Sequence, residues 1–231
     1  MEKLRKMVKI HTDENKDFRF EEAIKTLRTN IQFSGPDIKT VMFTSAVPGE
    51  GKSQITVSEA MSLAGLGKRV LVVDADIRKS VLLSRYQIEQ EVHGLTEYLS
   101  GQKQLDDVIC TTDIQGLDMI FAGPYSPNPS ELLAEPLFKE LVRRMREEYD
   151  YILIDTPPMA GLTDGAIIAM ECDGAVMVIE AGAVSRRIEK RIKEQLEKSG
   201  CRVLGVVLNK VKPEYGAYYG KKYDKYYGSD E

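Results

Sequence analysis

Short apolar runs alternate along this chain with longer segments whose apolar positions recur every three or four residues. The runs predict strands at Thr40–Ser45, Arg69–Asp74, Leu117–Ala122, Tyr151–Asp155, Gly174–Glu180 and Val203–Leu208. The helical periodicity predicts helices at Ser53–Leu66, Glu131–Glu148, Gly165–Met170 and Arg186–Lys198. Strands that are apolar throughout are buried on both faces, so the alternation predicts an α/β fold with a doubly wound, mainly parallel sheet flanked by helices.

Punctuation along the chain refines these elements. Pro129 stands where a missing N–H costs nothing, Ser130 can cap the following helix, and Glu131 suits its dipole. Gly200 is placed to end the helix that closes at Ser199. Ahead of the first strand, Phe18–Phe33 reads as a helix with Ala23, Ile24, Leu27 and Ile31 at helical spacing. From about Pro213 the chain becomes a tail of Tyr, Gly and Lys with no burial pattern. The expected organisation is one domain over residues 1–212 and a flexible tyrosine-rich tail over 213–231, with no internal repeat.

Composition narrows the class. Over 231 residues, 42% hydrophobic and 29% charged content is that of a globular chain. A net charge of −4 gives no basic footprint for nucleic acid. No run approaches the roughly 18 apolar residues of a membrane span, and no charged-then-apolar leader is read, so the expectation is a cytoplasmic protein that meets the membrane through a partner. Cys110, Cys172 and Cys201 are widely spaced and read as reduced, mostly buried thiols. His11 and His93 stand alone, which argues against histidine catalysis or a zinc site.

The chemistry lies at predicted strand ends, where a doubly wound sheet binds ligands. Between the first strand and its helix runs Ala46-Val-Pro-Gly-Glu-Gly51-Lys52-Ser53. Backbone N–H groups at such a turn and helix start suit phosphate oxygens, lysine adds charge at the β/γ position, and serine can ligate Mg²⁺. Pro48, Gly49, Glu50, Gly51, Lys52, Ser53 and Gln54 are the expected nucleotide contacts. The pattern departs from the usual one at its first glycine, which is Ala46. Two further strands end in carboxylates, at Asp74-Ala-Asp76 and at Asp155. A buried aspartate needs a cation or hydrogen-bond donors, and a magnesium nucleotide beside Lys52 supplies one. Asn209, at another strand end on the same edge, is equally suited to reading an adenine or opening a turn.

With these motifs the chain resembles the bacterial tyrosine kinases (BY-kinases), in particular the cytoplasmic capsule and exopolysaccharide kinases of Gram-positive bacteria. The carriers are the Pro48–Ser53 loop, Asp74-Ala-Asp76 with Arg78, Asp155-Thr-Pro-Pro158 followed by Asp164, Asn128-Pro-Ser-Glu-Leu-Leu133, the Glu22–Asn30 segment and the tyrosine-rich tail. The resemblance implies a P-loop kinase fold shared with partition and division-site ATPases. It places Lys52 and Ser53 in the Walker A motif, Asp74 and Asp76 in Walker A′, and Asp155 in Walker B. It also implies that the 18–33 helix assembles a ring, an octamer being one stoichiometry, through a Glu-x-x-Arg-x-x-Arg pattern; here Glu22 and Arg28 are kept and Lys25 replaces the middle arginine.

The implied reaction is ATP-dependent phosphorylation of tyrosine. Lys52 and the loop amides hold the β/γ-phosphates, Ser53 and Asp76 hold Mg²⁺ directly or through water, Asp155 orders the metal's water shell, and Asp74 takes the proton from the substrate hydroxyl. The expected substrate is the tail of a neighbouring subunit, where six of the 11 tyrosines crowd: Tyr215, Tyr218, Tyr219, Tyr223, Tyr226 and Tyr227. A tail of roughly 20 residues spans on the order of 60 Å, enough to reach a neighbour's site. The implied partners are a membrane-anchored polysaccharide co-polymerase that activates the kinase and recruits it to the inner membrane face, and a cognate tyrosine phosphatase. Two rivals stand beside this reading: a partition-type switch ATPase and a non-catalytic ATP-binding regulator. The switch ATPases carry a lysine early in the loop, at the place of Val47 here, and its absence favours the kinase.

Overall fold

The computed structural model describes residues 5–12 and 17–211. The chain opens with β1 (Lys6–Val8), α1 (Phe18–Phe33), β2 (Thr40–Ser45), α2 (Lys52–Ala64) and β3 (Val70–Asp74). Three short helices follow, α3 (Leu82–Arg85), α4 (Leu95–Leu99) and α5 (Leu105–Val108), and then β4 (Ile109–Thr112) and β5 (Leu117–Ile120). The remainder runs α6 (Pro129–Ala134), α7 (Pro136–Glu148), β6 (Tyr151–Asp155), α8 (Asp164–Ala169), β7 (Gly174–Glu180), α9 (Arg186–Lys198) and β8 (Arg202–Asn209).

The strands form one eight-stranded sheet in the order β1-β4-β5-β3-β6-β2-β7-β8, parallel except between β4 and β5. β2, β3 and β7 are buried almost throughout, which is why they read as unbroken apolar runs. Alternate residues serve opposite faces. Val41 and Phe43 meet Ile24, Ile31, Ile55 and Leu63 of α1 and α2. Met42, Ile152 and Ile154 meet Leu141, Met145, Ile168 and Leu196 on the other face, from α7, α8 and α9. Phe43 is wholly buried three residues before the phosphate loop, and its truncation to alanine costs about 3–5 kcal/mol.

Several sequence expectations shift. The single helix over Glu131–Glu148 is two, because Pro136 has no N–H and holds Glu135 extended at ψ 146°. Ser130 does not cap; Asn128 holds that position with Pro129 behind it. Ala23 is exposed, while Ile24 and Ile31 are the buried anchors of α1. The helix expected at Ser53–Leu66 begins at Lys52 and ends at Ala64, and β5 stops at Ile120. β1 and β4, which extend one edge of the sheet, carry too few residues to show a period. Gly200 ends α9 as expected, with φ at +82°. Cys110 and Cys201 are buried and Cys172 half-buried, all three as free thiols.

Candidate active site

The order of the sheet brings β2, β3 and β6 together at their carboxyl ends, with Asp74 directly opposite Asp155 and Phe43 opposite Asp155 on the other side. A cleft of about 440 Å³ opens there, lined by Pro48 to Ser53, Asp76, Arg78, Pro157 and Pro158, among others. The phosphate loop, both acidic strand ends and the segment after β6 therefore share one site.

The loop is shaped from within. Gly49 and Gly51 have φ of +88° and +92°, which L side chains rarely adopt. Ala46 is not a positive-φ residue, so the departure from glycine carries no backbone strain. Glu50 is buried, and its carboxylate accepts the N–H of Ala46 at 2.6 Å, of Val47 at 2.9 Å and of Glu180 at 3.1 Å. The glutamate is thus an internal brace that ties the loop to the end of β7, a role invisible in sequence because Glu180 is remote. Val47 packs, half-buried, against the core.

Lys52 is buried, with its ammonium 2.5 Å from Asp155 Oδ1 and 3.3 Å from Ser53 Oγ. Asp155 also accepts Thr56 Oγ1 at 3.5 Å. Asp74 is wholly buried and accepts the Ser80 hydroxyl and the Asp76 N–H. Burial, followed by the negative charge of Asp155, pushes its carboxyl up to about 8. Burial raises Asp76 as well, against the pull of Lys52, and Asp76 accepts the Lys79 N–H at 3.0 Å. Three carboxylates around one lysine leave an excess of negative charge that a cation offsets.

That donor set suits Mg²⁺ bound together with phosphates. Among the described residues no cluster of three carboxylate, histidine or cysteine groups forms a cage for a bare ion. Magnesium commonly takes one or two protein oxygens and completes its shell with phosphate and water. Ser53 Oγ and Asp155 Oδ1 both face the Lys52 ammonium, which marks the place between them as one that favours a positive charge. Asp76 stands on the same cleft wall.

Other expected residues are placed differently. Gln54 is exposed and is not among the cleft-lining residues, though it meets Arg85, which is, at 3.5 Å. Asn209 donates from Nδ2 to the Glu50 carbonyl at 2.8 Å, so its observed role is to fasten β8 to the loop. Lys210 repeats that contact one residue on, reaching the Gly49 carbonyl and the Glu180 carboxylate, both at 2.7 Å. On α1, Glu22 and Lys25 pair at 2.7 Å, while Arg28 turns onto α2 and donates to the Ser62 carbonyl and hydroxyl. All six tail tyrosines lie outside the described residues. Ser80 had no sequence signal, and Ser130 and Glu50, singled out for other roles, gave none for the contacts they make with remote residues.

A family profile described as an AAA domain matches residues 38–199. The tyrosine-protein kinase CpsD of Streptococcus agalactiae is 44% identical over 207 residues, covering 87% of this chain and 90% of that protein. Among solved structures, the chimerical protein CapA2B2 shares 31% identity at a TM-score of 0.80, over 90% of this chain and 95% of that one. The kinase domain of the Escherichia coli tyrosine kinase ETK aligns at a TM-score of 0.78 with 26% identity, over 89% of this chain and 91% of that one.

Proposed function

This chain belongs to the bacterial tyrosine-protein kinases, and from that premise we propose that it phosphorylates the tyrosines of its own carboxyl-terminal segment, between subunits, and thereby regulates capsule or exopolysaccharide synthesis and export. Its enzyme class, ATP-dependent protein-tyrosine kinase, comes with the family. The observation that carries the reading is the Lys52 ammonium held between Ser53 Oγ and Asp155 Oδ1, beside the paired carboxylates of Asp74 and Asp76.

Phosphoryl transfer asks for positioning and charge stabilisation. Lys52 and the amides of the Gly49–Ser53 turn bind the nucleotide phosphates; Ser53, Asp76 and Asp155 would hold Mg²⁺, which would supply positive charge to offset the acidic excess. For this the lysine leaves Asp155 and follows the phosphates. Asp74, buried against Ser80, orients the incoming phenol and, once ionised by the positive charge that bound Mg²⁺ would bring, accepts its proton. A phenol with a pKa of about 10 is protonated at neutral pH and needs such an acceptor.

Residues 1–212 form the kinase domain, and residues 213–231 present the tyrosines. Glu22, Lys25 and Arg28 on α1 contribute to a homo-oligomeric ring. Among the described residues no helix is long and apolar enough to cross a membrane. A membrane-anchored co-polymerase then recruits the kinase to the inner face of the membrane, and a tyrosine phosphatase resets it. Incubation with Mg-ATP followed by mass spectrometry of phosphotyrosines tests the reading. Phosphate on Tyr215 to Tyr227, transferred from active to kinase-dead subunits, is the expected result; ATP turnover without phosphotyrosine would identify a switch ATPase instead.

A further inference from the structure

Arg78, in the turn after β3, and Ser130 and Asp164, at the starts of α6 and α8, come from three elements, and none has a part in the mechanism above. They form one cluster. Arg78 Nε donates to Asp164 Oδ2 at 2.5 Å and Nη2 to Asp164 Oδ1 at 3.0 Å, a forked pairing that fixes the plane of the guanidinium. Nη2 also reaches Ser130 Oγ at 3.0 Å, and Ser130 Oγ donates to Asp164 Oδ1 at 2.5 Å. Asp164 has no exposed surface.

Two features separate this cluster from an ordinary surface staple. Ser130 and Asp164 lie inside the first turns of α6 and α8, past the capping positions held by Asn128 and Thr163, so neither side chain is committed to a cap. Both side chains turn to the arginine instead. The arginine, in contrast, is satisfied on one edge only. Its Nη1 meets no acceptor among the described residues, its side chain is one-third exposed, and it lines both the phosphate cleft and an adjoining cavity with Asp76, Ser80 and Tyr125.

We propose that Ser130 and Asp164 are positioning residues for phosphoryl transfer, locking Arg78 so that its free edge stands at the cleft to meet the charge on the transferring group. The inference rests on the kinase reading. Charge spreads over the equatorial oxygens in the transition state, and a donor already fixed in place stabilises it without reorganising. An arginine free to sample its rotamers lacks that advantage. Ser130 completes the lock from a second helix, so its removal leaves the charge of Arg78 but loosens its orientation.

The test compares the full chain with its Ser130→Ala, Ser130→Thr and Asp164→Asn variants, reading tyrosine phosphorylation, ATP KM and thermal melting. The expected result for Ser130→Ala is a roughly tenfold lower kcat with ATP KM within about twofold of wild type and an unchanged melting temperature. Ser130→Thr restores the rate, and Asp164→Asn lowers kcat further, by about a hundredfold. Should the buried Asp164→Asn variant fail to fold, Ser130→Ala and Arg78→Lys decide, the latter keeping charge without the fork and losing kcat. A wild-type rate in Ser130→Ala overturns the positioning role alone. So does a loss that follows melting temperature and is not restored by threonine. A wild-type chain that phosphorylates no tyrosine overturns the kinase reading and this inference together.

Discussion

The Lys52 ammonium lies 2.5 Å from Asp155 Oδ1, and both side chains are almost wholly buried. Across the same sheet register Asp155 faces Asp74, so the lysine sits among the carboxylates at the strand ends. Removing one partner of a buried pair leaves the other uncompensated. Lys52→Met should therefore abolish ATP binding and lower stability by about 3 kcal/mol in chemical denaturation. Removing both, in Lys52→Met with Asp155→Leu, should recover most of that stability with no recovery of binding. Additive losses in the double variant would show that the two side chains do not act as a pair.

Asp74 is assigned to the acceptor hydroxyl, so Asp74→Asn should remove tyrosine phosphorylation while ATP affinity stays within about threefold. Nucleotide titration and phosphotyrosine detection on one preparation separate the two. Loss of both together assigns Asp74 to nucleotide binding.

Glu59, in α2, is buried with no hydrogen-bond partner among the described residues, and burial pushes its carboxyl up to about 8 against the pull of Arg28. In the unfolded chain it titrates near 4.5. The folded state thus binds the extra proton between those values. Its contribution is complete below about pH 4.5 and is lost as pH rises to about 8, at roughly 1.4 kcal/mol per pH unit. Glu59→Gln cannot titrate. Melting curves of wild type and variant should diverge between about pH 4.5 and pH 8 in favour of the variant, and parallel curves across that range would refute the assignment.

Gly51 combines a φ of +92° with a neighbour: a Cβ there would lie 2.1 Å from Asn209 Nδ2. Gly51→Ala should prevent nucleotide binding. Adding Asn209→Ala removes the contact but leaves the strained dihedral, so calorimetry should find at most partial recovery. Asn209→Ala alone should raise ATP Kd by a few-fold, about the value of one hydrogen bond.

How far sequence alone could reach depended on the range of the interaction concerned. β2, β6 and β7 have the boundaries that their apolar runs predict, because a strand buried on both faces announces itself residue by residue. The phosphate loop and the two acidic strand ends were likewise legible, and the sheet order then brings them to one cleft. The break at Glu135–Pro136 had its signal in the proline, but the amphipathic period runs on across it and masks it. β1 and β4 owe their conformation to pairing with each other rather than to their own pattern. The partners of Glu50, Asn209 and Arg78 come from elements far along the chain, and no local spacing encodes them.

Asn209 and Lys210 both grip carbonyls of the phosphate loop, at Glu50 and Gly49. The chain leaves this double fastening only five residues before Tyr215. Any displacement of this root, Asn209 and Lys210, therefore acts on the loop through two bonds rather than through the body of the fold. Thermodynamic reciprocity then applies: a ligand that displaces the root and weakens ATP binding is itself weakened by ATP to the same factor.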